Sequence, residues 1–405
     1  MSNHIRRGAL ALGSFAVAAL ALTGCVPNAA PNAQSIAVSA SDDDCAVETA
    51  TATSGTITFT VKNEGTKVNE FYVLGSNKLT IVGEVENIAP GASRDLTVQV
   101  GPGEYFTSCK PGMIGAGVGQ AAFSVSGDAL KTTPEEDAVI AQYIGYVKTQ
   151  AEELVPKVEE FVAAYKAGND DEARRLFGTV RINYERIEPT AEQFGDLDPK
   201  IDYRKPGALE EGIPFTGFHR IEQDLWLDEA IKNYSTPEKA HYPKDDLVPL
   251  TPEQRAEIGD QLVADVTELK NKVASADFEL TLADITEGAK GLLDEVAAPD
   301  GKLPGEENEF AHTDLYDFTA NVEGAQVAFD TVRGLLEATK DGKKLATSLD
   351  KRFADMFALL AKYGSLEQGF VSYDTVDETK RNELAATLTA LSDEMAKLTA
   401  AVVKS

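Results

Sequence analysis

Histidine and cysteine are scarce in this chain, with four of the first and three of the second in 405 residues, beside a single tryptophan. No histidine lies between His4 and His219, so the first half of the chain cannot assemble a blue-copper centre, which needs two imidazoles beside a thiolate. The zincin motif H-E-x-x-H is missing as well. Arg220 follows His219 where the glutamate would stand, and no second histidine comes at the required spacing. Positive charge is in short supply, with 38 Lys and Arg against 66 Asp and Glu and a formal charge of −28. Such a polyanion repels phosphate backbones, which argues against nucleic acid as a partner, and it draws cations to its surface. After residue 25 no apolar run is long enough to span a bilayer.

The one long apolar run, Gly8 to Leu22, follows Arg6 and Arg7 and ends in "LTGC". This is the pattern of a secretory signal over residues 1–24, and the small residues before Cys25 resemble a lipobox. Cleavage is expected to leave Cys25 as the first residue, carrying a lipid. The protein is then extracytoplasmic, tied to a membrane at the cell surface or in the periplasm. Loss of Arg6 and Arg7 leaves a charge near −30. Residues 25–44 have the Pro, Ala, Asn, Ser and Asp content of a flexible tether.

The chain changes period near residue 130. Before it, Ile57, Phe59 and Val61 alternate with threonines, and Leu96, Val98 and Val100 alternate with polar residues. Six or seven such strands, punctuated by Gly and Pro, predict a small all-β sandwich over residues 45–130. After it, Thr133-Pro134 and Thr251-Pro252 read as N-cap and first helical residue, and Gln254 completes a capping box. Further helical runs are expected over about 171–195, 217–232, 280–297, 307–340, 345–363 and 375–403. Their short connections predict an all-α domain of antiparallel helices over 131–405.

Two groups of residues carry chemistry. In the β domain, Cys109 lies in a strand followed by Pro-Gly and Met113, and Cys45 precedes the first strong strand. They pair as a disulfide, which an oxidising compartment favours, or with Glu70 they form a soft second metal site. In the helical domain, His219 and Glu222 share a face at i, i+3 spacing, as do Glu185 and Glu188 upstream. Pro189 after Glu188 either kinks the helix so that both carboxylates turn inward, or simply ends it. The loop between adds Asp196, Asp198 and Asp202. One imidazole with several carboxylates suits a hard cation such as iron.

The motifs "YERIEP", "DLD…ID", "FTGFHRIE" and "HTDLYDFTANVEG", in this order, resemble the imelysin-type domain of the EfeO family, whose hallmark is G-x-H-x-x-E. "ENIAPG" and "GEYFTSC" resemble the cupredoxin-like domain that precedes it. The resemblance implies a cupredoxin-like sandwich followed by two four-helix bundles, and an extracytoplasmic iron-binding component. It also implies two partners, a membrane iron permease and a dye-decolourising-type haem peroxidase. Carried over, it points to Glu185, Glu188, Asp202, His219 and Glu222 as metal ligands, with Asp198 a rival for Asp202. His312, Asp314 and Glu323 are expected to support the fold or orient the ligands. Ferric iron is the favoured cargo, with copper and zinc as competitors. The alternatives are a metal-dependent peptidase of the imelysin type, against which the missing H-E-x-x-H speaks, and a copper-assisted relay that oxidises ferrous iron.

Overall fold

The computed structural model of the chain describes residues 34–403, except 79, 114–116, 240 and 299–300. The expected signal peptide and Cys25 lie outside the described residues. Among the described residues no helix is long and apolar enough to cross a membrane.

The first domain contains β1 (Gln34–Ala40), β2 (Cys45–Val47), β3 (Thr51–Thr53), β4 (Gly55–Asn63), β5 (Asn69–Leu74), β6 (Ile81–Ile88), β7 (Ser93–Val100), β8 (Gly103–Cys109) and β9 (Val118–Ser126). They form a sandwich of two sheets, ordered β2-β1-β4-β7 and β3-β9-β8-β5-β6. Because successive side chains leave a strand on opposite faces, the period-two residues of β4 and β7 point inward and are buried. Phe59 meets Phe71 and Phe123 of the opposite sheet with ring centroids 5.2 and 5.4 Å apart, in tilted and edge-on arrangements that ring quadrupoles favour.

The boundary of the expected tether needs correction. From Gln34 the chain is already part of the sandwich, with β1 running parallel to β4. Ile36, Val38 and Ala40 alternate inward and are buried; small polar neighbours mask this period in the sequence. The strands also exceed the expected six or seven because β2 and β3 have three residues each, too few to show a period.

Cys45 opens β2 in one sheet and Cys109 closes β8 in the other, and a disulfide joins them with Cα atoms 5.4 Å apart. The staple takes the place of the thiolate metal site, because bonded sulfurs are no longer anionic ligands. Glu70 lies one residue before Phe71, which pairs with Cys109, and its buried carboxylate accepts a hydrogen bond from the Tyr72 hydroxyl. Cross-linking residues 64 apart restricts the unfolded chain, so the double variant Cys45→Ser/Cys109→Ser should lose roughly 2–4 kcal/mol of β-domain stability. Denaturant unfolding would show a lower midpoint.

The second domain contains α1 (Pro134–Lys166), α2 (Asp170–Val180), α3 (Ile182–Glu185), a 3-10 turn at Glu188–Phe194, α4 (Leu197–Asp202), α5 (Lys205–Glu211), α6 (Gly217–Leu225) and α7 (Leu227–Asn233). It continues with α8 (Pro252–Ala274), α9 (Leu282–Val296), α10 (Asp314–Leu336), α11 (Lys340–Leu360), α12 (Glu378–Met395) and α13 (Leu398–Val402). Thr133 and Thr251 cap α1 and α8 with complete capping boxes. One four-helix group is α1, α2, α6 and α8, and the other is α9 to α12. A continuous apolar core runs through both.

Several expected runs break, among them 217–232 at Trp226 and 375–403 between Met395 and Leu398. The helix over 171–195 ends at Glu185 and resumes as the 3-10 turn from Glu188, because Pro189 has no N–H to continue an α ladder. The run from 307 becomes helical only at Asp314, after His312 takes a left-handed φ of 54°.

Helix α9 docks the two domains. The Arg94 guanidinium pairs with Asp294 at 2.5 Å, and the Ala283 amide donates to the Gln99 side-chain oxygen at 3.3 Å. Gly288 is required on this helix, since a Cβ there would stand 1.9 Å from the Pro189 carbonyl oxygen. Between the domains lies a cleft of about 800 Å³ whose wall includes Glu84 and Glu86 of β6 and Glu188, Asp198, Asp202 and Glu307 of the helical domain.

Candidate metal centre

The glycine of the G-x-H-x-x-E motif sets the centre. Gly217 opens α6 with φ +74°, and a Cβ at that position would lie 2.1 Å from the Ile201 carbonyl oxygen. Only glycine tolerates both the dihedral and the close approach. The Thr216 hydroxyl donates to the Lys200 carbonyl at 2.9 Å and reinforces the same junction. The end of α4 is thereby pressed against the start of α6, and Asp202 comes to His219, with Oδ1 3.6 Å from Nε2.

Every residue of α6 is buried, so His219 must find its partners inside the protein. Its Nδ1 is 2.9 Å from Glu222 Oε2. The other oxygen of Glu222 accepts from the Phe310 and Ala311 amides, both at 2.9 Å. With Nδ1 donating to a fixed carboxylate, Nε2 is left free to act as a ligand. Nε2 has no hydrogen-bond partner, yet it faces Glu307 Oε1 at 3.4 Å as well as Asp202. One ligand atom each from Asp202, His219 and Glu307 lie within 4.8 Å of one another. Nitrogen and oxygen ligands bind metal ions at about 2.0–2.2 Å, so one hard cation fits between them with small adjustments.

The other two sequence-derived residues form the adjoining layer. Glu185 Oε2 and both oxygens of Glu188 face the Lys302 ammonium, at 3.4 and 3.2 Å. The Asn321 amide donates to both residues, at 3.0 and 2.6 Å. Arg181, fully buried, reaches Glu185 at 2.5 Å, Glu307 at 2.8 Å, Asp317 at 3.2 Å and also Asp202. The structure thus brings Asp202 and His219 together, sets Glu185 and Glu188 beside them around Lys302, and places Glu222 behind the imidazole. Asp198 is separate, accepting from the Tyr184 hydroxyl on the cleft wall, with burial pushing it up to about 7.

These charges set the protonation of the centre. Burial and the Arg181 charge push the His219 imidazole down, but Glu222, Glu307 and Asp202 outweigh them and hold it up at about 9. Burial, then the charge of Glu185, pushes Glu188 well above the usual carboxylate range. Burial works against ionised Glu307 too, yet Lys302, His219, Arg204 and Arg181 keep it well below that range. The centre therefore holds a proton on His219 at neutral pH and negative charge on Glu307.

Glu307, Arg181, Lys302, Asp317 and Asn321 are absent from the sequence-derived set. Arg181 could have been found four residues before Glu185, one helical turn upstream and just outside the "YERIEP" motif. Glu307 sits in the aperiodic stretch "LPGEENEF", where no spacing signals its direction. His312, Asp314 and Glu323 brace the surroundings. The His312 carbonyl accepts from the Tyr373 amide at 2.9 Å, Asp314 accepts from the Asn308 amide at 3.3 Å, and Glu323 pairs with Arg186 at 2.7 Å.

Residues 139–398 match the imelysin family, and residues 14–118 match a cupredoxin-like domain. The chain is 35% identical over 406 residues to the iron uptake system component EfeO of Escherichia coli strain K12, covering 98% of each chain. It is 34% identical over the same length and coverage to the protein of that name from Escherichia coli O157:H7, and 35% to that of Shigella flexneri.

Proposed function

The chain belongs to the EfeO family of iron uptake components, with a cupredoxin-like domain ahead of an imelysin domain, and from this premise we propose that it captures iron at the Asp202–His219–Glu307 cluster. One observation carries the reading, namely the buried Nε2 of His219, without a hydrogen bond, facing two carboxylates that line an acidic cleft. Carboxylate oxygens favour a hard ion, and a single imidazole with no thiolate gives soft ions little advantage. Glu185 and Glu188 stand beside the cluster as additional ligands, and Glu222 orients the imidazole through Nδ1. The proposed role is binding without turnover. The protein sits outside the cytoplasm on a lipid at Cys25, and hands iron to a membrane permease in a system that includes a dye-decolourising-type haem peroxidase.

The test is calorimetry of the chain from residue 26 onward with chelator-buffered ferric, ferrous, zinc and cupric ions, repeated on His219→Ala. Tight iron binding that the variant loses while remaining folded is expected, and equal binding by both proteins would sink the proposal. Because His219 is held at about 9, at pH 7 its proton must leave when the metal binds. Binding heats in buffers of different ionisation enthalpy should show proton release, and affinity should climb as pH rises from 6 towards 9. A pH-independent affinity would count against these ligands.

A further inference from the structure

The Lys302 ammonium occupies ground that a captured cation would claim. Glu307 faces two ways. Its Oε1 looks toward His219 and Arg181, at 3.4 and 2.8 Å, and its Oε2 looks toward Lys302, at 3.9 Å. Lys302 in turn stands between Glu185 and both oxygens of Glu188.

Arg204 also faces Glu307 Oε2, at 3.8 Å, and of the cations at the centre Arg181 and Lys302 differ in how they are held. Arg181 is fully enclosed, spread over four carboxylates, with its guanidinium over the Phe218 ring. A planar fork held at several points has nowhere to go. Lys302 presents a point charge on four methylenes. Its backbone is fixed in a turn, where the Gly305 amide donates to its carbonyl at 3.1 Å. The adjacent Gly301 and the acids Glu295, Glu306 and Glu307 lie on the cleft wall. Lys302 is buried as well, 2% exposed, but its flexible side chain starts beside that wall.

We propose that Lys302 is a tethered counter-ion that holds Glu185 and Glu188 in the metal-free protein and is expelled into the cleft when a metal ion is captured. The inference rests on the capture reading above. A di- or trivalent ion shared through Glu307 lies within a Debye length of the ammonium, in surroundings that screen poorly, and repels it. The same ion attracts the carboxylates more strongly than an ammonium does, so Glu185 and Glu188 pass from Lys302 to the metal. Once displaced, the Lys302 ammonium turns towards the acidic cleft, whose Glu306 already pairs with Lys239. The device makes the centre respond only to ions that outbid an ammonium for carboxylate oxygen. Hydrated magnesium, reluctant to shed water, does not.

The test uses gallium(III), trivalent and without redox chemistry, on the mature protein. Reductive methylation of amines followed by peptide mass mapping should leave Lys302 unmodified without metal and modify it once gallium is bound. Lys302→Met should bind gallium at least tenfold more tightly and accept magnesium as a competitor, whereas Lys302→Arg should do neither. A merely structural lysine would give weaker binding in the methionine variant. Gallium binding, confirmed by calorimetry, with Lys302 still protected would overturn the proposal alone. Absence of gallium binding by the wild-type protein would overturn the capture reading and this proposal with it. If Lys302→Met does not fold, the labelling of the wild-type protein decides.

Discussion

Glu307→Gln is expected to weaken iron binding by more than ~100-fold, and Glu222→Gln by about 10–100-fold, the range usual for residues that orient a ligand. The two glutamates contact the same imidazole from opposite sides. Glu307 Oε1 approaches Nε2, the nitrogen without a hydrogen bond, whereas Glu222 Oε2 receives the proton of Nδ1. An amide at 307 keeps the shape but loses the anionic oxygen that offsets the metal charge. At 222 the single carbonyl oxygen of glutamine serves either Nδ1 or the Phe310 and Ala311 amides, and its NH2 group takes the other place, so the imidazole loses only part of its support. Competition against a chelator for ferric iron would rank the variants, with thermal unfolding as a check that both are folded. A larger loss at 222 than at 307 would make Glu222 the direct ligand, as the H-x-x-E spacing by itself suggests.

Arg181→Met should be the most destabilising single change in the helical domain. The guanidinium is fully buried and pairs with Glu185, Asp202, Glu307 and Asp317. Removing one partner of a buried ion pair costs about 3–5 kcal/mol, because a buried charge is left uncompensated; here four carboxylates lose a shared cation. In a domain of this size that corresponds to a fall in melting temperature of roughly 6–20 °C. Arg181→Lys keeps the charge but cannot span four acceptors, and should fall between. The pH dependence has a definite sign. Burial already raises Asp202 and Asp317 above the ordinary carboxylate value, despite the Arg181 charge that opposes it. Without Arg181 they rise further. A carboxyl whose folded value is raised favours the fold at pH below its unfolded value, and that contribution is lost as pH rises toward the folded value. The deficit of Arg181→Met should therefore shrink on acidification, and denaturant unfolding at pH 5 and pH 8 would show it. A deficit that grows in acid would mean that the carboxylates found other cations.

Local chemistry made much of the architecture legible. Alternation at Ile57, Phe59 and Val61 marks a strand because the side-chain period of a strand is two. Thr133 and Thr251 announce helix starts because their hydroxyls and the side chains three residues on satisfy the first free amides. These signals act over a few residues, so the two domains and the switch between them can be read along the chain. Even there the reach is limited. Cys45 and Cys109 left a disulfide and a metal site as alternatives until the two sheets were stacked, and β1 was hidden among small polar residues.

The candidate centre divides along the same line. The G-x-H-x-x-E motif and the Glu185–Glu188 pair are helix-local, so the sequence alone marks His219, Glu222, Glu185 and Glu188 as one chemical group. Which atom faces which was decided by tertiary packing. The touching of α4 and α6 at Ile201 and Gly217 brings Asp202 to His219. The segment before α10 returns over α6, placing the Phe310 and Ala311 amides on Glu222 and Glu307 against His219. Glu307 lies 126 residues from Arg181, its partner, and no periodicity spans such a gap. Sequence fixes elements through short-range propensity, whereas a metal site is a coincidence of side chains from distant elements, set by the packing of the whole domain.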